Sequence, residues 1–178
     1  MKQDSPVYEA IRTRRAVREY TDDPISDEQV NRILRSVRWS PSAGNRRLHK
    51  VIVLQDRSEI TRVRSVSPGL FGDPPLLIIL CTDKKQLEKE GVKDHDTSTI
   101  VDVGTTAMCM MLAAHELGLG TCPTTSFSAE GVCGALNIPD HLVPDFILQV
   151  GNPKPLPPGS GHKVSISEFT YWGAFPAN

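Results

Sequence analysis

The sequence predicts one domain built on a β-sheet with helices packed against it and at least some crossover connections. Three observations carry that expectation. Apolar periodicity and turn residues divide the chain into helix, helix, strand, helix, strand, helix, strand, helix, strand. One stretch near the middle, residues 97–117, is apolar on most faces, as befits a helix inside something. The chain has 178 residues, 39% of them hydrophobic and 23% charged, enough to bury a core without disulfides or a metal. The same composition excludes a disordered, collagen-like or disulfide-scaffolded protein.

The elements follow in order. Asp4-Ser5-Pro6 opens a short helix carrying Val7, Ala10 and Ile11, with Pro at the first helical position. After a turn at Asp22-Asp23-Pro24, Ser26-Asp27-Glu28-Gln29 forms a capping box. Val30, Ile33, Leu34 and Val37 continue it at helical spacing to about Trp39, and Pro41 ends that helix. Val51 to Leu54 reads as a buried strand, Glu59 to Val66 as a helical turn or two, and Leu76 to Cys81 as a second buried strand. Gly118 stops the apolar helix. Leu119 to Thr125 reads as a strand interrupted by Pro123, Ser128 caps a helix through Leu136, and Phe146 to Val150 is the last core strand. The Pro/Gly-rich stretch Asn152 to Gly161 then reads as a linker to a short β-prone tail, Lys163 to Trp172, so residues 1–178 form one domain with 152–178 as linker and C-terminal arm.

No run reaches the ~18 consecutive apolar residues of a membrane span, and the N-terminus lacks an apolar signal-peptide region. Cys81, Cys109, Cys122 and Cys133 match neither a CxxC pair nor a zinc site. A cytoplasmic protein with reduced cysteines and no metal is expected. A net charge of −1 excludes a globally basic nucleic-acid binder, and 6% aromatics leave little surface for stacking bases.

Four features bear on chemistry. Arg12, Arg14, Arg15 and Arg18 fall within seven residues, and residues 11–50 hold ten basic and five acidic side chains, a local +5. Arginine suits bidentate recognition of phosphate. A cationic face at a helix C-terminus is also stabilised by the helix dipole, and the run alone does not separate a cofactor phosphate from an RNA backbone. Ser40-Pro41-Ser42-Ala43-Gly44-Asn45 is a loop of small residues that allows backbone to approach a flat ligand. Gly118-Leu119-Gly120-Thr121-Cys122-Pro123-Thr124-Thr125 either caps a helix or aims backbone N–H groups at a ligand. His162-Lys163 is a basic pair after the linker.

In this order and spacing, these motifs resemble the FMN-dependent nitroreductase family across almost the whole chain. Ile25-Ser26-Asp27-Glu28, Gly151-Asn152-Pro153 and the tail residues Lys163, Glu168, Phe169, Tyr171 and Trp172 fit the same pattern. The resemblance implies an α+β fold: a three-layer sandwich with a mixed, mainly antiparallel sheet flanked by helices, forming an intertwined homodimer with FMN at the interface. Arg14, Arg15 and Arg18 match the motif that grips the FMN phosphate and reaches the flavin edge, with Ala16 where the family commonly has Ser. Pro41, Ser42, Ala43 and Asn45 match the loop laid against the isoalloxazine ring from the partner subunit. Cys122, Pro123, Thr124 and Thr125 match the segment offering N–H groups near flavin N5 and O4. Lys163, with His162, matches the C-terminal basic position completing the phosphate site, and Arg18 or Lys163 would face flavin N1. No side chain is expected to be catalytic, because flavin N5 carries the chemistry. The implied activity is NAD(P)H-dependent reduction of nitroaromatic or quinone-like acceptors by ping-pong hydride transfer. Flavin fragmentation, reductive dehalogenation and a non-catalytic FMN- or RNA-binding module are the alternatives. The chain departs from the family at Asn45-Arg46-Arg47-Leu48-His49, where many members read Asn-x-Gln-Pro-Trp, and it lacks an Asn/Lys pair for the flavin pyrimidine edge and the insertions that cover the substrate side. The resemblance therefore implies an open flavin site.

Overall fold

The computed structural model of the chain describes residues 5–93, 96–155 and 164–174. Ten elements make a three-layer sandwich: α1 (Pro6–Thr13), α2 (Asp27–Val37), β1 (His49–Leu54), α3 (Arg57–Arg64), β2 (Leu76–Asp83), α4 (Lys84–Lys89), α5 (Thr97–Glu116), β3 (Gly120–Thr124), α6 (Ala129–Leu136) and β4 (Leu142–Gly151). The sheet order is β1-β2-β4-β3. All three ladders are antiparallel, and the parallel component is one isolated bridge, Ala16 to Thr121.

The alternation of strand side chains divides the core in two. Leu76, Ile78 and Leu80 of β2, with Leu148 and Val150 of β4, face Ile33 of α2 and Val103, Ala107 and Met110 of α5. Leu77, Ile79 and Cys81, with Ile147, face Ile60 and Val63 of α3 and Val132 of α6. Covered on both faces, β2 is buried along its whole length, which is why its sequence is a continuous apolar run. Pro123 sits in β3, at the sheet edge, where its missing N–H breaks no ladder between two strands.

Local signals agree with these elements. Ser5 caps α1 with Pro6 at the first helical position, and Ser26 and Gln29 form the expected capping box of α2. At the end of α5, Gly118 takes φ +75° and its N–H reaches His115 O, while Leu119 N–H reaches Ala114 O, a left-handed glycine stop.

Three differences from expectation stand out. Helix α4 had no sequence signal, because of its residues only Leu87 is buried and no apolar period exists to be read. The tail expected to be β-prone forms a 3₁₀ turn at Ile166–Glu168 instead, held by a capping box between Ser165 and Glu168. Helix α5 is long and apolar enough to cross a membrane by length and composition, yet it packs one face on α2 and the sheet. Its other face is open, with Ile100 57%, Val101 56% and Met108 44% exposed, since α5 lies in an outer layer of the sandwich.

Candidate functional site

The arginine segment and the segment after α5 meet at the end of the sheet. Past α1, residues 14–20 run extended beside β3: Ala16 bridges Thr121, and Val17 N–H donates to Thr121 O at 2.9 Å. The approach depends on two paired glycines. A Cβ on Gly120 would lie 2.7 Å from Val17, and one on Gly151, its register partner, 2.5 Å from the Tyr20 ring. The chain leaving β4 closes the other side, with Thr21 N–H on Asn152 O at 2.9 Å and Lys154 N–H on Glu19 O at 3.1 Å. Tyr20 anchors the segment, buried at 4% exposure, its hydroxyl donating to Val17 O at 2.6 Å. Burial pushes that phenol well above its usual range.

The arginines are not equivalent. Arg15 is exposed, and its Nη1 donates to Arg12 O at 2.7 Å and Arg14 O at 3.0 Å, so it caps the open carbonyls of α1. Arg18 lies over the Phe71 ring, 5.7 Å from its centroid, a cation–π contact. It also faces Cys122, whose thiol burial pushes up against the opposing pull of Arg18. Arg14 differs from both: its Nη1 is buried and has no hydrogen-bond partner among the described residues. A buried guanidinium nitrogen without an acceptor carries its full desolvation cost, and an anion relieves it. Arg14 and Arg15 both line a cavity of about 180 Å³, with Thr13, His115 and Gly118 to Thr121. Thr13 Oγ1 and His115 Nε2, 2.8 Å apart, tie α1 to the end of α5 there. That volume suits a phosphate group and not a whole flavin mononucleotide. The larger clefts, up to about 670 Å³, run along the outer face of α2, where the single chain leaves helices uncovered.

Along β3, Cys122 is buried, Pro123 is exposed, Thr124 is buried and Thr125 is exposed. Thr124 Oγ1 accepts from Gln149 Nε2 at 2.6 Å and donates to Gly69 O at 3.3 Å. Gln149 is fully buried, and its Oε1 and the buried Ser67 Oγ have no partner among the described residues.

The loop Pro41–Asn45 is elsewhere. It turns through a 3₁₀ segment with Gly44 at φ +61° and Asn45 at φ +55°. Ala43 N–H donates to both carboxylate oxygens of Asp102, at 3.0 and 3.1 Å. Ser40 Oγ lies 2.9 Å from Thr106 Oγ1, which lies 3.2 Å from His49 Nε2. Asp102 and His115 are thirteen residues apart on α5, about 20 Å at 1.5 Å per residue. One chain therefore brings Arg14, Arg15, Ala16 and Arg18 together with Cys122 to Thr125, and holds Pro41, Ser42, Ala43 and Asn45 at the opposite end of α5. His162 and Lys163 lie outside the described residues. Among the described residues no cluster of three or more His, Cys, Asp or Glu offers a metal site.

Sequence reasoning missed Asp102, Val17 and Phe71. An acid within an otherwise apolar helix was a signal for the first. Nothing local marked the others, whose roles depend on contacts across the fold.

A profile of the nitroreductase family matches residues 11–68 and 64–152. A candidate NADH dehydrogenase/NAD(P)H nitroreductase of Methanothermobacter thermautotrophicus is 31% identical over 153 residues, covering 83% of this chain and 77% of that protein. An FMN reductase [NAD(P)H] of Bacillus subtilis is 25% identical over 163 residues, covering 83% of this chain and 66% of its own length. A nitroreductase family protein of Clostridium difficile superposes with a TM-score of 0.82 at 26% identity, over 94% of this chain and 98% of that one. An FMN-dependent nitroreductase of the same species shares the fold, with a TM-score of 0.80 at 21% identity over 93% and 98% of the two chains. The family match spans most of the chain, includes the arginine segment, the small-residue loop and β3, and agrees with the layered fold: the chain belongs to the nitroreductase family.

Proposed function

We propose that this chain is an FMN-dependent oxidoreductase that uses NAD(P)H to reduce nitroaromatic or quinone-like acceptors, working as a homodimer. The observation that carries the reading is the buried Nη1 of Arg14, without a partner among the described residues, beside a phosphate-sized cavity. It is the kind of incomplete cation that a phosphomonoester completes. When bound, FMN supplies the hydride chemistry, exchanging reducing equivalents between the nicotinamide and the acceptor in a ping-pong cycle.

The protein's part is to bind and orient. Arg14 holds the phosphate, with Lys163 and His162 assigned there on family resemblance alone. Arg18, braced by Phe71, sets positive charge next to β3. The Cys122–Thr125 edge offers backbone to the ring, since beyond the Ala16–Thr121 bridge β3 has no strand on the side away from β4. The loop Pro41–Asn45 serves the partner's site, because its anchor Asp102 and the His115 that ties down α1 stand about 20 Å apart along α5.

The test is flavin retention. The purified protein should be yellow with bound FMN. Arg14→Ala should weaken FMN binding roughly tenfold to 150-fold, the loss of one charge-assisted bond of about 1.5–3 kcal/mol. Arg15→Ala should weaken FMN binding less than Arg14→Ala, because Arg15 lines the same cavity but already commits its Nη1 to the Arg12 and Arg14 carbonyls. A colourless wild type, or an Arg14→Ala protein that keeps stoichiometric FMN, refutes the assignment.

A further inference from the structure

Helix α5 grips the small-residue loop at three successive points. The Asp102 carboxylate accepts the Ala43 N–H with both oxygens, at 3.0 and 3.1 Å. Thr105 Oγ1 shares its one proton between Asp102 O at 2.9 Å and Pro41 O at 3.1 Å. Ser40 Oγ donates to Val37 O at 2.8 Å, so it accepts from Thr106 Oγ1 at 2.9 Å. Thr106 in turn accepts from His49 Nε2 at 3.2 Å. The held loop is conformationally costly: Gly44, Asn45 and Arg47 all have positive φ, at 61°, 55° and 52°. Left-handed conformations at the last two are unfavourable for residues with a Cβ.

Asp102 is the unexpected member of this clamp. It is 4% exposed and sits in a helix whose buried neighbours are Val103, Thr106 and Ala107. Among the described residues it forms no ion pair, and its side chain bonds one amide, that of Ala43. A buried carboxylate is costly to desolvate, and here a single amide is what offsets it. Folding alone therefore gives weak reason for a charge here. Fixing the place of one amide in a strained loop is a stronger reason.

We propose that Asp102 is a positioning residue of the flavin site: through the Ala43 N–H it sets the loop Pro41–Asn45 in the geometry that faces the isoalloxazine ring. This rests on the reading of that loop as flavin-facing. The carboxylate itself touches neither flavin nor substrate.

The test uses the full-length holoenzyme, with FMN affinity, visible flavin spectrum, kcat and KM for a quinone, and thermal midpoint all measured. Asp102→Leu should weaken FMN binding about tenfold or more and shift the flavin absorbance bands, with the thermal midpoint little changed or raised. Asp102→Asn, whose amide oxygen still accepts from Ala43, should return affinity to within about threefold of wild type and restore the spectrum. Ala43→Pro removes only the donor, and Ser42, at φ −145° and ψ 150°, already has backbone compatible with a following proline. It should reproduce the Asp102→Leu defect, and the double variant should add nothing further. Ala43→Pro also decides the matter if Asp102→Leu fails to fold. Wild-type affinity and spectrum in both Asp102→Leu and Ala43→Pro overturn the proposal, as does a cycle in which their effects add fully. An Asp102→Asn protein as defective as Asp102→Leu overturns it too. A wild-type protein that binds no FMN instead sinks the underlying reading of the site.

Discussion

Gly120→Ala probes the contact that assembles the arginine side of the site. The new Cβ would lie 2.7 Å from Val17 Cβ and 2.7 and 2.8 Å from its two Cγ atoms. Carbon atoms pack at about 3.5–4.0 Å, so a gap of nearly 1 Å has to open. Val17 cannot yield alone: it is 4% exposed, its branched side chain is stiff at χ1, and its N–H is bonded to Thr121 O. The strain therefore falls on the backbone of residues 16–18, the stretch that joins Arg14 to Arg18. Overpacking of this kind costs roughly 1–3 kcal/mol. For a chain of this length each kcal/mol lowers the midpoint by about 2–4 °C, so a fall of roughly 2–12 °C is expected. FMN content should fall with it, because displacing residues 16–18 moves Arg14 and Arg18 away from β3. Val17→Ala in the same background should recover only part of the loss, since alanine keeps the Cβ contact. Calorimetry and the flavin-to-protein absorbance ratio measure the two effects. An alanine variant with an unchanged midpoint and full FMN would refute the claim that Gly120 is needed for close approach.

His49 and α2 give two further expectations. Burial lowers the His49 pKa, the nearby Asp102 and Asp145 partly oppose that, and Arg47 and Lys50 reinforce it. The unfolded state therefore binds the proton first as pH falls below about 6.5. His49 contributes stability that is full above that value and lost as pH drops through its lower folded pKa. Denaturant titrations of His49→Gln, whose amide can still donate to Thr106, should show a flatter stability profile below pH 6.5, and an identical slope in wild type and variant would contradict the linkage. Ser26→Ala breaks the capping box in which Ser26 accepts the Gln29 N–H and Gln29 Oε1 accepts the Ser26 N–H. It should cost about 1 kcal/mol by denaturant melt and leave FMN content unchanged.

Local chemistry made the layers legible and left the site only half so. The Ser26 capping box, Pro6 and the β-branched runs each act within a few residues, so the elements they mark were readable. Helix α4 was not, because its cap, Asp83 on Gln86 N–H at 3.2 Å, also ends strand β2, and too few of its residues are buried to leave a period. The start of β4 was hidden by Pro144 and Asp145. Pro144 faces Cys81 at a register shift, and Asp145 accepts the Thr82 N–H at 2.8 Å across strands, which is a tertiary fact. The arginine run and the glycine run were visible as separate motifs. That they touch depends on the Val17–Gly120 approach, across more than a hundred residues of chain. The difference between Arg14 and Arg15 depends on which guanidinium finds a carbonyl, and composition does not carry that.

The two separated halves of the site put an arithmetic constraint on a dimer. The loop is held at Asp102 and the arginine segment at His115. If two α5 helices pack antiparallel about a twofold axis, Asp102 of each chain comes level with the partner's His115 when the crossing point lies midway between them, at Met108 and Cys109. The open face of α5, which begins at Ile100 and Val101, extends through that point: Met108 is 44% exposed, Cys109 is half-buried, and nothing lies within 4 Å of a Cβ built on Gly104 one turn earlier. A residue near a twofold axis meets its own copy. Met108→Cys in a Cys109→Ser background should therefore form an intermolecular disulfide under mild oxidation, without loss of FMN. Ile100→Cys, two turns from the crossing and about 12 Å along the axis, should crosslink far less. A disulfide needs Cα atoms within about 7 Å, so the contrast is sharp. Efficient crosslinking at residue 100 with none at 108 would refute this crossing, and with it the explanation of how one chain's loop reaches the other's arginines.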